Sequence, residues 1–536
     1  MHRRFISGVA AAALLFAAGA ASAQDFSAQR LSDDIRAISA DDFQGRYPGT
    51  DGEKKTLDWL QAQYEAMGLE PGGPNGQWLQ VIDLKRFTPV ADAAKASWTG
   101  ADGQTHVLTP GTDIILRAAT NDGKATIAGA GVVFVGHGIF APERGWDDYG
   151  DLDVAGKIVL VVSGEPDGDL FNGPYATNYQ SGAYKADEAK RRGALGVITV
   201  SKTSATDAAW TRTAQGNSRT RTLTPGAADL EFSGAINADT AKTLGLDMAE
   251  LTPRLGTGDF RAFALPGVTL SVETAETIDT LRTHNLLARI PGAKRPHETV
   301  IYSAHWDHVG INEHAAGDDK VFNGAWDNAS GTIGVLEMAR QLKGAPAPDR
   351  TIVFAHMAAE EMGLLGAYAY AADPVYPLET TVADINIDML PLSGPTRDVP
   401  IFGKGQNSLE DDLQALAEKE GRYVSDDGQP EQGFYYRSDH FPFARAGVPA
   451  LMPWHGVDWV EGGREAGLAA WKAKFGADYH KPTDEWSADW DLRSAVENLT
   501  LLYRLGLQLA NSDEWPTWKP TSEFGQVRAA SDAARK

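Results

Sequence analysis

The sequence predicts an α/β fold in which a mostly parallel mixed sheet is covered by helices and carries an inserted β-rich module. Three apolar runs, at residues 299–304, 351–357 and 382–387, have the length and β-branched content of buried strands. Between the first two, residues 331–342 repeat apolar side chains at helical spacing, and Gly344 ends the pattern. A strand–helix–strand order of this kind is typical of a parallel sheet.

The remaining elements divide the chain into parts. Its 536 residues exceed what one hydrophobic core usually holds, so two or more domains are expected. Residues 31–68 have a helical pattern, interrupted by a Gly-rich turn at 45–52. From about residue 125, strand-like runs at 131–138, 157–163 and 194–200, with a helical pattern at 185–193, indicate a separate module that residues 260–272 are expected to close.

The expected boundaries follow from this division. They are a signal peptide at 1–23, the N-terminal part of the catalytic domain at 24–120, the inserted module at 121–272, the catalytic domain at 273–515 and a C-terminal tail at 516–536.

The N-terminus has the form of a secretory signal. Arg3 and Arg4 precede an apolar stretch, and Ala21-Ser22-Ala23 has the small-x-small form of a cleavage site, so the mature chain is expected to begin at Gln24. We therefore expect secretion across the inner membrane to the periplasm or the extracellular space, with no stable membrane anchor.

Composition excludes several functional classes. The chain has no cysteine, which excludes disulfides, a thiol nucleophile and zinc–thiolate sites. Its formal net charge of −23 argues against nucleic acid as a partner, because binding the phosphate backbone needs a basic surface. The sequence also lacks His-Glu-x-x-His, Gly-x-Ser-x-Gly and the phosphate-binding Gly-x-x-x-x-Gly-Lys-Ser/Thr motif.

Metal-binding residue types recur along the second half of the chain, each beside a strand-like run or a Gly-rich turn. Imidazole and carboxylate are the side chains that divalent metals such as zinc take as ligands. Two neighbouring ions also need a bridging carboxylate, and Asp327 is the natural candidate because it lies between the first strand and the next helix. The predicted ligands of a two-metal hydrolase are His305, Asp327, Glu361, Asp388 and His480.

Other residues near these ligands are predicted to assist. Adjacent side chains face different directions, so Glu361 is expected to ligate while Glu360 acts as the general base. Asp307 follows the first ligand by two residues and is expected to orient its imidazole. Tyr436 or Tyr435 is a candidate donor to an oxyanion. His440 has either a supporting or a structural role. Structural roles are expected for His308, His314, His356 and His455.

These segments resemble peptidase family M28, whose members are co-catalytic zinc peptidases. The resemblance covers most of the chain. Residues 31–84 resemble the N-terminal part of the family's domain, residues 131–201 are similar to a protease-associated (PA) domain inserted before the catalytic core, and residues 280–510 resemble the peptidase domain. It implies a zinc-exopeptidase-like fold, two zinc ions, and the ligand and base assignments above. It also places Asp439, in Ser438-Asp439-His440, close to the site, and implies a cis peptide bond after Asp327.

The resemblance further implies a function. The leading expectation is an exported aminopeptidase (a metallopeptidase and hydrolase) that removes N-terminal residues from peptides. The alternatives are a glutaminyl-cyclase-like acyltransferase with a single zinc, another exopeptidase of the same family acting on C-termini or dipeptides, and an inactive binding ectodomain. The complete ligand set and Glu360 argue against the inactive form, and the intact bridge argues against the cyclase.

Overall fold

The structure, a computed structural model, describes residues 26–171, 173, 175–224 and 230–535. The expected signal peptide therefore lies outside the described residues. The helices are α1 (Ala28–Ile38), α2 (Asp51–Ala66), α3 (Gly182–Arg191), α4 (Ala208–Asn217), α5 (Ala238–Thr243), α6 (Met248–Leu255), α7 (Gly331–Gly344), α8 (Leu365–Ala372), α9 (Leu409–Glu418), α10 (His440–Arg445), α11 (Gly463–Asp478), α12 (Arg493–Asn511) and α13 (Gly525–Ala529).

The strands form two connected sheets and three short pairs. They are β1 (Glu70–Pro71), β2 (Leu79–Pro89), β3 (Lys95–Thr99), β4 (Thr105–Leu108), β5 (Ile114–Ala118), β6 (Lys124–Phe134), β7 (Phe140–Ala141), β8 (Trp146–Asp147), β9 (Ile158–Val162), β10 (Gly196–Val200), β11 (Arg221–Leu223), β12 (Phe232–Ile236), β13 (Phe263–Ile290), β14 (Arg295–His305), β15 (Gly310–Ile311), β16 (Val321–Phe322), β17 (Arg350–Met357), β18 (Thr381–Asn386), β19 (Asp398–Pro400), β20 (Tyr423–Ser425) and β21 (Ala450–Leu451).

The catalytic sheet has the predicted parallel centre. Its order is β21–β18–β14–β17–β13, and the pairs among the first four strands are parallel, whereas β13 runs antiparallel to β17 and to β2. Side chains alternate across the sheet: Val300 and Tyr302 pack with α1, α7 and α12, whereas Ile301 packs with α8 and α10. The predicted mixed sheet covered by helices is confirmed, and burial on both faces explains why these strands are continuously apolar.

The inserted module has its own sheet, which includes the parallel strands β6, β9, β10 and β12. The pattern at 260–272 corresponds to the first part of β13, which pairs with strands of the module as far as Ala275, and the boundary at 272 stays a prediction. Strand β13 continues to Ile290 without a break, pairing first with β3 and β6 and then with β2 and β17.

The strands before residue 121 also pair with the module. β3 pairs with the first half of β13, β4 pairs with β3, and β5 pairs with β12. We therefore propose that the module starts near residue 95, ahead of the expected boundary. At the other end of the chain, Arg528 is buried and donates to the carbonyls of Leu378 and Thr381, so the expected tail docks on the catalytic domain.

The two domains also meet through a segment of the module that precedes and includes the start of α3. The amide of Ala176 donates to the carbonyl of Pro430 at 3.4 Å, and that of Asn178 donates to Oε1 of Glu523 at 3.1 Å. Burial raises the pKa of the Glu523 carboxyl to about 7. The module is thus joined to the catalytic domain both by a shared strand and by this docked segment.

No helix in the part of the chain that the structure describes has the length and apolar content needed to cross a membrane.

Candidate metal centre

The five predicted ligands come together at the carboxyl edge of the catalytic sheet. His305 is the last residue of β14, while Glu361 and Asp388 follow β17 and β18 by a few residues. Asp327 lies in the turn before α7, and His480 follows α11. Because parallel strands end at the same edge of a sheet, residues far apart in sequence are placed side by side.

One group of donors surrounds His305. Its Nε2 lies 3.4 Å from Oδ1 of Asp388 and 3.5 Å from Oδ1 of Asp327. The other oxygen of Asp388 accepts a hydrogen bond from Ser438 Oγ at 2.6 Å, which fixes the direction of the carboxylate. All three members of this group are buried, and their ligand atoms lie within 4.8 Å of one another.

A second group uses the other oxygen of Asp327. His480 Nε2 lies 3.1 Å from Oδ2 of Asp327 and 2.9 Å from Oε2 of Glu361. A further histidine, His308, places Nδ1 2.6 Å from Oε1 of Glu361. Asp327 therefore faces both groups, one with each oxygen, which is the arrangement expected of a bridging carboxylate.

The turn that carries Asp327 is held on both sides. Asp484 accepts hydrogen bonds from the amides of Trp326 and Asp327, at 2.8 and 2.9 Å. Asn328 Oδ1 accepts from the amides of Gly331 and Met389, which ties the turn to the segment carrying the next ligand. A Cβ at Gly331 would lie 2.2 Å from Asn328 Oδ1, so this close contact requires glycine. The Asp327–Asn328 peptide bond is cis, as the resemblance implied.

Asp307 contacts the site differently from the expectation. Its carboxylate lies 3.8 Å from Nδ1 of His305, whereas its own backbone carbonyl lies 3.1 Å from that nitrogen. The carboxylate instead accepts from the amides of Glu360 and Glu361, at 3.1 and 3.4 Å. Asp307 thus fixes the two adjacent glutamates through their backbone.

Those glutamates differ in environment. Glu360 lines the cavity beside His305, while Glu361 contacts His308 and His480. Burial, together with the charges of Glu361 and Asp388, raises the pKa of Glu360 well above its ordinary value. Burial also acts to raise the pKa of Glu361, but the two histidines outweigh it and lower that pKa. Opposite shifts in a neighbouring pair are typical of a divided acid–base role.

The site as a whole stabilises positively charged groups. Burial would lower the pKa of His480, yet the carboxylates of Asp327 and Glu361 raise it to about 10. Burial likewise opposes the charged form of His305, but Glu360 and Asp388 raise its pKa well above the ordinary value. Acidic groups therefore outweigh the imidazoles, and their surplus would be balanced by bound cations.

The donors fit divalent metal ions. Among the described residues, Oδ1 of Asp388, Oε1 of Glu361 and both ring nitrogens of His308 are buried without a hydrogen-bond partner. Buried polar atoms normally have such partners, and metal coordination is one explanation for their absence. The mixture of imidazole and carboxylate donors is one that zinc accepts.

A small, partly open cavity adjoins the first group of donors. Its wall beside Asp388 is largely aromatic; Phe402 and Trp454 have ring centroids 4.8 Å apart, and Phe475 stacks on Tyr479 at 4.4 Å. The full lining consists of His305, Asp327, Glu360, Asp388, Met389, Phe402, Phe434, Arg437, Ser438, Met452, Trp454, Phe475 and Tyr479.

The predicted supporting residues lie behind this wall. Among the described residues that line the cavity are Arg437 and Ser438, but not Tyr436 or Tyr435. The Tyr436 hydroxyl lies 3.5 Å from Glu523, in the contact with the inserted module. Asp439 and His440 are fully buried, and burial raises the pKa of Asp439 and lowers that of His440 to about 3.

Three residues at the site were not predicted. Tyr479 lines the cavity and stacks on His480 at 3.8 Å, Asp484 holds the bridging turn, and His308 joins the second group of donors. Tyr479 and Asp484 stand in the same short segment as His480, and His308 follows Asp307 directly. Their closeness to predicted ligands is the signal that identifies them.

Comparisons with known proteins give two domain matches. Residues 285–503 match the model of peptidase family M28, and residues 129–244 match that of the PA domain. The chain is 25% identical over 353 residues to "Probable lipoprotein aminopeptidase LpqL" of Mycobacterium tuberculosis, covering 63% of this chain and 59% of that protein. It is 33% identical over 175 residues to aminopeptidase YwaD of Bacillus subtilis, covering 31% and 35%.

The chain thus spans less than two thirds of the length of these relatives. Among solved structures, an aminopeptidase from Aneurinibacillus sp. strain AM-1 is similar with a TM-score of 0.46 and 20% identity, over 92% of this chain and 97% of that chain.

Proposed function

We propose that this protein, whose residues 285–503 belong to peptidase family M28 and follow a PA domain, is an exported zinc aminopeptidase that removes N-terminal residues from peptides. The observation that carries the proposal is the position of Asp327. Its two oxygens face two separate groups of donors, and the cavity that holds Glu360 lies beside them.

The residues suited to hold two zinc ions follow from the two groups. His305 and Asp388 would hold one ion, Glu361 and His480 would hold the other, and Asp327 would be shared. Such a pair of ions, when bound, supplies Lewis-acid polarisation of a carbonyl and activation of a water molecule.

The chain's own residues would perform the proton transfers. The carboxylate of Glu360 lines the cavity and has a raised pKa, so it is suited to take a proton from water and pass it to the leaving amine. Asp307 holds its backbone, and the Tyr479 phenol lines the same cavity, where it is placed to donate to an oxyanion.

The lining of the cavity supports a preference for apolar N-terminal residues. Phe402, Phe434 and Trp454 stand at its wall and offer apolar contact to a side chain. Arg437 at the same wall disfavours a cationic side chain. The free amine of the substrate would lie among the surplus carboxylates, which an acetylated terminus cannot exploit.

One experiment tests this proposal. The zinc-loaded protein is incubated with a free and an acetylated version of the same leucine-initiated peptide, and products are read by mass spectrometry. We expect stepwise loss of N-terminal residues from the free peptide alone. Internal cleavage of both peptides at similar rates would contradict the aminopeptidase proposal while leaving metal-dependent hydrolysis in place.

A further inference from the structure

His308 is a buried histidine whose ring lies beside the predicted metal ligands Asp327 and Glu361. Its side chain is 0% exposed, and neither ring nitrogen makes a hydrogen bond to another described residue. Nδ1 nevertheless lies 2.6 Å from Oε1 of Glu361, and ligand atoms of His308, Asp327 and Glu361 lie within 4.8 Å of one another. A buried imidazole that faces two carboxylates, and whose Nε2 has no hydrogen-bond partner among the described residues, is placed as a metal ligand would be.

The backbone around the His308 ring lets the ring lie close to the turn that carries Asp327. Gly324 has a φ of 53°, and a Cβ there would lie 2.4 Å from Cγ of His308. Only glycine adopts this conformation readily and leaves the space free. On the other side, Arg46 donates to the carbonyls of Trp306, Asn323 and Gly324, which joins the His308 segment to the bridging turn.

We propose that His308 is a further protein ligand of the ion held by Asp327, Glu361 and His480. This inference rests on the proposed function, because it needs the second ion. His480 is 38% exposed and follows the largely exposed helix α11, whereas His308 is fully buried. His308 would therefore be the more firmly fixed imidazole of the pair and would retain the ion if the segment carrying His480 moved.

The competing explanation is that His308 only orients Glu361 by donating a hydrogen bond from Nδ1. The 2.6 Å contact is short enough for one, so affinity alone does not separate the two roles. Loss of a hydrogen bond to a ligand commonly weakens metal binding by about 10–100-fold. Loss of a nitrogen ligand additionally changes the electronic spectrum of the bound ion, because the donor set itself changes.

The test is cobalt(II) titration of the metal-free full-length protein, followed by visible absorption against a competing chelator. His308→Ala and His308→Gln are compared with wild type and with His455→Ala. The control removes an equally buried imidazole whose Nε2 contacts the Met389 carbonyl and which belongs to neither donor group. Circular dichroism establishes that each variant is folded, and His308→Gln serves if His308→Ala is not.

We expect both His308 variants to bind the first ion normally, to bind the second at least about 10-fold more weakly, and to show altered d–d bands for the second ion. His455→Ala should match wild type in both measurements. Unchanged affinity for the second ion, or weaker binding with unchanged bands, would overturn the proposed ligand. A wild type that binds two ions without cleaving peptides would refute the proposed function and leave this result standing.

Discussion

Replacing Glu360 with glutamine separates proton transfer from metal binding. The amide has the shape of the carboxylate but cannot accept a proton, and loss of a general base costs on the order of 10²–10⁴ in rate. At about 1.4 kcal/mol for each factor of ten, this corresponds to about 3–5 kcal/mol of lost transition-state stabilisation. We therefore expect kcat on leucine nitroanilide to fall by that factor with little change in KM.

The same substitution makes a prediction about stability. The Glu360 carboxyl lies near Glu361, Asp388 and Asp439, and burial with their charges disfavours its ionised form. Because the amide cannot take the ionised form that this cluster disfavours, the metal-free variant should be at least as stable as wild type. Thermal unfolding of both metal-free proteins at pH 7 measures the difference.

The matched control is Glu361→Gln. Glu361 contacts His308 and His480, and its change should weaken binding of one zinc ion, whereas Glu360→Gln should retain two. Metal content after dialysis against a weak chelator distinguishes them. Equal metal loss in both variants, or more than a tenth of wild-type turnover in zinc-loaded Glu360→Gln, would refute the division of roles.

Further predictions concern metal content, the domain contact and the cavity. Protein loaded with excess zinc should hold two equivalents per chain; a stable single equivalent would instead favour the cyclase alternative. Burial raises the pKa of Glu523 from 4.5 to about 7, so the folded state binds more protons between these values and its stability falls as pH rises through 7. The free energy of unfolding of Glu523→Gln, measured in urea, should therefore rise relative to that of wild type between pH 5 and 8, by up to about 3 kcal/mol. A difference between the two proteins that stays constant over this pH range would contradict this. Phe434→Ala should lower kcat/KM for phenylalanyl substrates about tenfold or more while sparing alanyl ones, because an apolar contact is lost. Gln180 lies on the docked segment of the PA domain, and its Nε2 would be 3.2 Å from a Cβ on Gly433 of the catalytic domain. Gln180→Ala should alter cleavage of long peptides and spare nitroanilides; equal loss on both would argue against a role in access.

Much of the metal centre could be predicted because its residues stand at strand ends. The runs at 299–304, 351–357 and 382–387 correspond to β14, β17 and β18, and the ligands lie at or just after them. Parallel pairing then forces these residues together, so sequence order alone predicts proximity.

The remaining features depend on contacts between distant segments. The cavity wall joins Phe402, Phe434, Trp454 and Phe475 from four separate stretches, and each one alone is an ordinary core aromatic. Tyr436 is a reasonable oxyanion donor by position, but its hydroxyl is directed to Glu523, which also accepts from Asn178 of the PA domain. Tertiary packing decides the direction of a side chain on a short 3₁₀ turn, so the local sequence pattern does not predict that direction.

The unbroken strand β13 limits how the molecule can move. Between the part that pairs with β3 and β6 and the part that pairs with β17, residues 276–285 of β13 pair with β2 alone among the described residues, as an antiparallel ribbon. Movement of the PA domain is therefore expected to be a twist or bend of this ribbon that keeps its hydrogen bonds and leaves both sheets intact. An engineer who exchanges this domain for that of a relative must keep the residue-by-residue register of β13, because an offset of one residue would turn every side chain in the catalytic half to the wrong face.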